Sequence, residues 1–531
     1  MPDTLIQHTE TKARTKSEKE AHYKKLEHMH DFYKVSRNKD GEFKGIEFLK
    51  PRILKLLTRL NFYRFDLNID SQRPIKIVDN KIKEVSQEYI KDTLQNYILN
   101  LEQFDYDDQI TITSKHLYEK WIEWHENIKP AFLNRLKAVE RKDLQTDTRT
   151  EKYLYFKNCA IRITSQKIET VDYKDITGYI WENQVIGREF VINNERGDYE
   201  QFCFNICGRD QSRFKSFRSM IGYILHQYFF RELHAIIFTD SKIGEYGEAN
   251  GRTGKGLVCD GLGQVLNANH DSRIYIEVDG KTLKEKGKFA FADADASTQV
   301  AHINDIYRNA TIEFFYNMIL KGLDIDKKGQ DAFKQYVKIV ITTNLTIKID
   351  GESDKARVRF FEFADYYNSE FRPNKEFKRW FFSDDWNLTD WQQFYTFMVL
   401  SVQIYLQNDI ITPPTITLER RTLVEHTSTY FIEFMDLWER EKMVSDGSYT
   451  IDYEFDVKID KKTLYSIFIA KYADYFQKHP TQHSFTKWLK HYGKSTPGIM
   501  PISDLDGTSG NTNSMNWIML KKSEPKTKNN E

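Results

Sequence analysis

Residues 247–258 read GEANGRTGKGLV, and their types and spacing suit one kind of chemistry, the holding of a polyphosphate. Glycines let consecutive backbone amides curl around an anion without Cβ clashes. A helix start adds oriented N–H groups and positive dipole. Lys255 then supplies a full charge to the β- and γ-phosphates. The candidate nucleotide-binding residues are Gly251, Arg252, Thr253, Gly254, Lys255, Gly256 and Leu257. The pattern G-x-x-x-x-G-K-[ST] would have glycine where Ala249 stands and a hydroxyl where Gly256 stands. That hydroxyl normally helps to hold Mg²⁺.

Hydrolysis of a nucleoside triphosphate also needs an acid near Mg²⁺, a polar group to orient water, and a cation for charge developing on the γ-phosphate. Two segments compete for the acid. FAFADAD ends in Asp293 and Asp295, which would face one side of a strand. VAHIND ends in Asn304-Asp305 and is followed by the helix-like IEFFYNMIL. The second is preferred, with Asp305 as catalytic acid and metal ligand. Asn304 can hold a water on Mg²⁺ but brings no charge. VKIVITTN places Asn344 at the tip of an apolar strand, where open α/β sheets bind ligands. In DKARVRFFEF, Arg357 and Arg359 share one strand face and are the candidate cations, for a neighbouring subunit's nucleotide or for local acids. Lys327 and Lys328, in LDIDKKGQ, suit a tight hairpin tip that meets nucleic-acid phosphates.

These residues need strands to present them. Strand-like runs are AIIF (235–238), IYIEV (274–278), KFAFA (288–292), VAHI (300–303), VKIVITT (337–343) and RVRFFEF (357–363). Alternating with helical runs, they predict a three-layer α/β domain. Residues 1–45 read as a flexible charged arm and 46–204 as a helical or mixed domain, with helical periodicity between 46 and 128. The α/β domain would span 205–410. Residues 411–520 would form a helical, winged-helix-like domain in which a helix at 484–492 carries Lys487, Lys490 and His491, and 521–531 a disordered tail.

The chain has 531 residues, and its 78 Lys+Arg balance its 78 Asp+Glu, so any surface for nucleic acid must be local. The four cysteines fit no zinc or disulfide spacing and read as reduced core thiols of a cytosolic protein. No run is long and apolar enough for a membrane span.

Taken in order, GEANGRTGKG, IND, GLDIDKKG, KIVITTN and ARVRFFEF resemble the A, B, B′, C and arginine-finger motifs of superfamily-3 helicases. The likeness is greatest to the helicase half of primase-helicases from phages and mobile elements of Bacteroidota. It runs from about Lys152 to Leu406. It implies a hexameric AAA+ P-loop motor using ATP and Mg²⁺ on single-stranded DNA, with 3′→5′ movement. Lys255 would be the phosphate lysine, Asn304 and Asp305 the acid site, Lys327 and Lys328 the DNA hairpin, Asn344 the sensor, and Arg357 the finger with Arg359 as fallback. A separate primase or polymerase would complete the system, in the host cytoplasm if the chain is phage-encoded. Two other functions remain open: an AAA+ initiator or remodeller, and a DNA-binding scaffold with a degenerate nucleotide site.

Overall fold

Five short runs rich in Val, Ile and Phe form the sheet on which the candidate residues sit. They are β1 (Ala235–Asp240), β2 (Tyr275–Asp279), β3 (Val300–Asn304), β4 (Lys338–Thr342) and β5 (Val358–Phe363). All pairings are parallel, in the order β2-β3-β4-β1-β5. Every residue of β1 and β4 is buried, as a parallel sheet covered on both faces requires. The computed structural model describes residues 16–523 except 69–70, 230–232, 242–251, 268–271, 307–310, 329–330, 345–355, 415–422, 425, 477, 497 and 513–514.

The helices that accompany this sheet are α1 (Asp198–Ile206), α2 (Gln211–Leu225), α3 (Lys255–Leu266), α4 (Ile312–Lys321) and α5 (Leu388–Asn408). One core joins Phe217 of α2, Phe238 of β1, Val258 and Leu262 of α3, and Phe361 and Phe363 of β5. α2 and α5 meet closely at Gly222, where a Cβ would stand 2.2 Å from the Ser401 carbonyl oxygen. Any larger residue there would force the two helices apart. Glu151–Phe156, Ala160–Thr164 and Ile168–Val171 form an antiparallel meander.

Further along come α6 (Thr429–Glu441), β6 (Lys458–Asp460), α7 (Lys461–Tyr472), α8 (Gln482–Ser495), β7 (Ser509–Thr512) and β8 (Met515–Met519). The three strands pair antiparallel in the order β6-β8-β7. They share a separate core containing Phe431, Phe434, Trp438, Phe468 and Phe485. Asp460 and Thr481 cap α7 and α8 by accepting from the backbone N–H of Thr463 and Ser484.

The chain divides into two compact units that are not colinear with it. One comprises Met1–Thr146, Asp172–Val185 and Asp326–Lys334; the other holds the remainder, including all the labelled elements. The first unit has its own core, with Phe32, Ile53, Leu57, Leu94 and Trp121. It also has a five-stranded sheet built from Phe62–Asp66, Gln72–Val78, Lys81–Glu84, Ala138–Val139 and Ile180–Trp181.

Several expectations change. KFAFA is not a strand: Gly287–Phe289 is a 3₁₀ turn and turns follow it. The helical periodicity between 46 and 128 does mark three helices, Lys50–Arg59, Gln87–Leu99 and Ser114–Trp124. Strands separate them, which a 3.6-residue pattern cannot reveal. Residues 33–48 are not a charged arm, since Tyr33–Arg37 and Phe43–Phe48 pair as a hairpin that buries Val35, Ile46 and Phe48. Lys522 bridges to Ile499, so order extends past 521. All four cysteines are buried and free. Among the described residues, no helix is long and apolar enough to cross a membrane.

Candidate nucleotide site

The parallel register fixes where the site's side chains emerge. β1, β3 and β4 all end on one edge of the sheet, and Lys255 opens α3 after β1. Gly254 takes φ +109° before the helix, a conformation only glycine adopts without strain. Its Cβ would also lie 2.8 Å from the Phe202 ring. Of the expected loop, Gly251 lies outside the described residues; Arg252, Thr253, Gly254, Lys255, Gly256 and Leu257 all line one cavity of about 420 Å³. Asn304, Asp305 and Asn344 line the same cavity, as do Asp260, Thr342, Arg372, Trp380 and Phe381. That volume lies in the range of small-ligand pockets. A larger cavity of about 1050 Å³, lined by Asp260, Gln264, Glu277 and Asp293 among others, includes neither Lys255 nor Asn344.

Lys255 Nζ donates to Asn344 Oδ1 at 2.6 Å and lies 2.5 Å from Asp240 Oδ2. Asp240, the last residue of β1, also accepts from the Thr253 hydroxyl. Sequence reasoning missed Asp240 because it appeared only as the polar end of AIIFTD. A Cβ at Gly256 meets nothing within 4 Å, so space does not explain the missing hydroxyl.

The acid site has a partner that the sequence did not reveal. Asn304 Nδ2 donates to Glu277 Oε1 at 2.8 Å, and Asn304 Oδ1 accepts from the Thr342 hydroxyl at 2.8 Å. His302 Nε2 lies 2.9 Å from that hydroxyl. The hydroxyl proton goes to Asn304, so His302 Nε2 carries its own and donates it. His302 Nδ1 is 3.6 Å from Glu277 Oε2. Burial opposes charging His302, but the neighbouring Cys259 and Glu277 outweigh it and raise its pKa to about 9. Contact with His302 in turn holds the Glu277 carboxyl below its ordinary range. Glu277 comes from β2, next to β3, which is why no single motif contains it.

Asp305 sits at φ +53°, its N–H bonded to the Thr342 carbonyl, and its carboxylate lies 3.3 Å from Lys281 Nζ. Asp293 and Asp295 lie apart from this arrangement: Asp293 lines the larger cavity, and Asp295 caps a turn by accepting from Ser297 N and Oγ. Among the described residues, no group of three or more His, Cys, Asp and Glu side chains forms a metal cage. Mg²⁺ carried on a nucleotide needs none, because one or two carboxylates, phosphate oxygens and water suffice. The Asp305 and Glu277 carboxylates and the Asn304 amide are hard-oxygen donors of the kind it takes.

Arg357 and Arg359 lie at the opposite edge. Val358 pairs with Ala235 at the start of β1, so the length of β1, roughly 17 Å at strand rise, separates that edge from the loop. The Arg357 guanidinium lies over the Tyr316 ring at 4.3 Å, and Arg359 contacts the Ala356 and Val358 carbonyls and His234. Lys327 and Lys328 sit in the connection between the paired strands Leu323–Ile325 and Phe333–Gln335, longer than the tight tip expected. Within the first unit, Arg73 donates to the Asp331 carbonyl of this connection and lies over the Phe333 ring.

No family model and no curated protein matches the chain. Solved structures of the NrS-1 C-terminal region are similar to it at 11–12% identity. Their TM-scores are 0.37, 0.42 and 0.39, over 88–90% of this chain and 98–100% of theirs.

Proposed function

We propose that the chain is an ATP-hydrolysing AAA+ motor of the superfamily-3 type, a replicative DNA helicase that works as a hexameric ring on single-stranded DNA. The observation that carries this reading is the convergence of Lys255, Asn344, Asn304 and Asp305 on one cavity at the strand-end edge. Lys255 holds the β- and γ-phosphates there. Asp305 presents the Mg²⁺ complex beside Asn304, which Glu277 holds from the neighbouring strand, and Asn344 orients the attacking water. The strand order β2-β3-β4-β1-β5 supports the same reading, because the loop strand and the acid strand flank the sensor strand.

Arg357 and Arg359, at the far edge, serve the next subunit's γ-phosphate. Lys327 and Lys328 meet the DNA backbone, and movement is 3′→5′. A separate primase or polymerase acts beside it. The antiparallel β6-β8-β7 sheet with α6, α7 and α8 supports a winged-helix module. On α8, exposed His483, Lys487, Lys490 and Lys494 recur at i, i+4, i+7 and i+11 and form one stripe. That stripe favours a second reading, an initiator that melts duplex DNA without translocating.

ATPase assays with and without single-stranded DNA test the proposal. Hydrolysis that rises with single-stranded DNA and Mg²⁺ supports it; a protein that binds DNA but never turns over ATP is a scaffold instead.

A further inference from the structure

The cavity that contains Lys255 has a wall that phosphate chemistry does not use. Residues 372–374 and 379–381 also line it. Trp380 stands out among them. It is 60% exposed, whereas Arg379 and Phe381 on either side are partly buried. Arg379, just before it, is fixed by paired contacts to Asp198 Oδ2 and to both oxygens of Asp390. Phe381, just after it, packs against Tyr199, Phe202, Phe377 and Trp386. Glu376, on the same segment, accepts from Asn205 and from the Tyr366 and Tyr367 hydroxyls. An indole is therefore held at the cavity by rigid flanks while its own surface stays open to water. Leaving so large an apolar side chain exposed forgoes burial energy that other packing here would have gained.

We propose that Trp380 is the stacking platform for the nucleobase, so that this cavity recognises a nucleoside triphosphate at both ends. Lys255 takes the phosphates, and Trp380 takes the aromatic face of the base. The proposal rests on the nucleotide-site reading above. Stacking alone accepts any base, with purines favoured by their larger face.

The test compares two ligands, MgATP and inorganic tripolyphosphate with Mg²⁺, by calorimetry on the full chain. Trp380→Ala should weaken MgATP roughly ten-fold and leave tripolyphosphate unchanged, while Trp380→Phe recovers most of the loss. In the wild type, MgATP should quench tryptophan fluorescence more than tripolyphosphate does, and Trp380→Phe should remove the difference. Equal MgATP affinity in Trp380→Ala overturns the platform, as does an equal loss for both ligands. Failure of the site itself has a different signature. Lys255→Met, made together with Asp240→Asn so that no buried carboxylate is stranded, should lose both ligands. If it loses neither, the nucleotide reading falls, whatever Trp380 does.

Discussion

Lys255 Nζ lies 2.5 Å from Asp240 Oδ2, and the two side chains are only 11% and 3% exposed. Lys255, proposed above to hold phosphate, is thus one half of a buried ion pair and also donates to Asn344. Under the proposed function, phosphate oxygens arriving at Lys255 would compete with these partners for the same ammonium protons.

A stability consequence follows from that pair. Removing one member takes the opposite charge away from the other in a buried place, which costs about 3 kcal/mol. Lys255→Met alone should therefore lower the denaturation midpoint clearly. Lys255→Met with Asp240→Asn should recover most of that loss. Urea melts of the three proteins check this; a single mutant as stable as wild type would show that the pair carries no structural weight.

The contact between Asn304 and Glu277 makes a counterintuitive prediction. Asn304→Asp, which gives this position the carboxylate that a two-acid site would have, would set two carboxylates about 2.8 Å apart, and like charges at that range cannot both ionise freely. The variant should lose stability and activity at neutral pH and regain stability as the pH falls. Adding Glu277→Gln should rescue it, because a glutamine amide can donate to the introduced carboxylate. Thermal melts across pH with matched ATPase assays decide this. Full activity in Asn304→Asp alone would mean that Glu277 is not part of the acid site.

Arg357 lies at the far edge of its own sheet, level with the start of β1. Arg357→Ala should bind ATP normally and hydrolyse it at about 10³-fold lower rate. Mixed with an inactive Lys255 variant, it should regain turnover from interfaces that pair an intact lysine with an intact arginine. Steady-state ATPase of the mixture measures this. Absence of rescue with both Arg357 and Arg359 variants rules out a finger acting across subunits.

Lys338 is buried in β4 under the Tyr223 ring, and burial lowers its pKa to about 7. Its ordinary value is 10.5. Between those values the unfolded chain binds the extra proton, so wild-type stability rises with pH there, by at most about 1.4 kcal/mol per unit. Lys338→Met removes that slope and should be the more stable protein at pH 8, with its advantage shrinking toward pH 10.5. Chemical melts at several pH values test the sign. A wild type that loses stability over this window relative to Lys338→Met would refute it.

How much of this was visible in the sequence depended on whether a feature was local. β1, β3, β4 and β5 were legible because buried parallel strands are short apolar runs, and Asn344 and Asp305 because they end or follow such runs. KFAFA misled because its apolar residues do not share one buried strand: Phe289, at the end of a 3₁₀ turn, is exposed, and Phe291 beyond it is buried. Asp240 and Glu277 were missed for a common reason. Each contacts a residue outside its own run: parallel pairing of β2 with β3 brings Glu277 to Asn304, and the start of α3 beside the end of β1 brings Lys255 to Asp240. The hairpin at 33–48 was hidden by its charged, water-facing alternate positions. Trp380 belongs to no motif, and only the cavity gives it a place.

The central claim is ATP-driven strand separation, and strand displacement measures it directly. The substrates are duplexes bearing either a 3′ or a 5′ single-stranded tail, incubated with the full chain, ATP and Mg²⁺. Release of the strand from the 3′-tailed duplex is expected, dependent on ATP and abolished in Lys255→Met with Asp240→Asn. Failure to displace either strand under conditions where the protein binds DNA and hydrolyses ATP would contradict it.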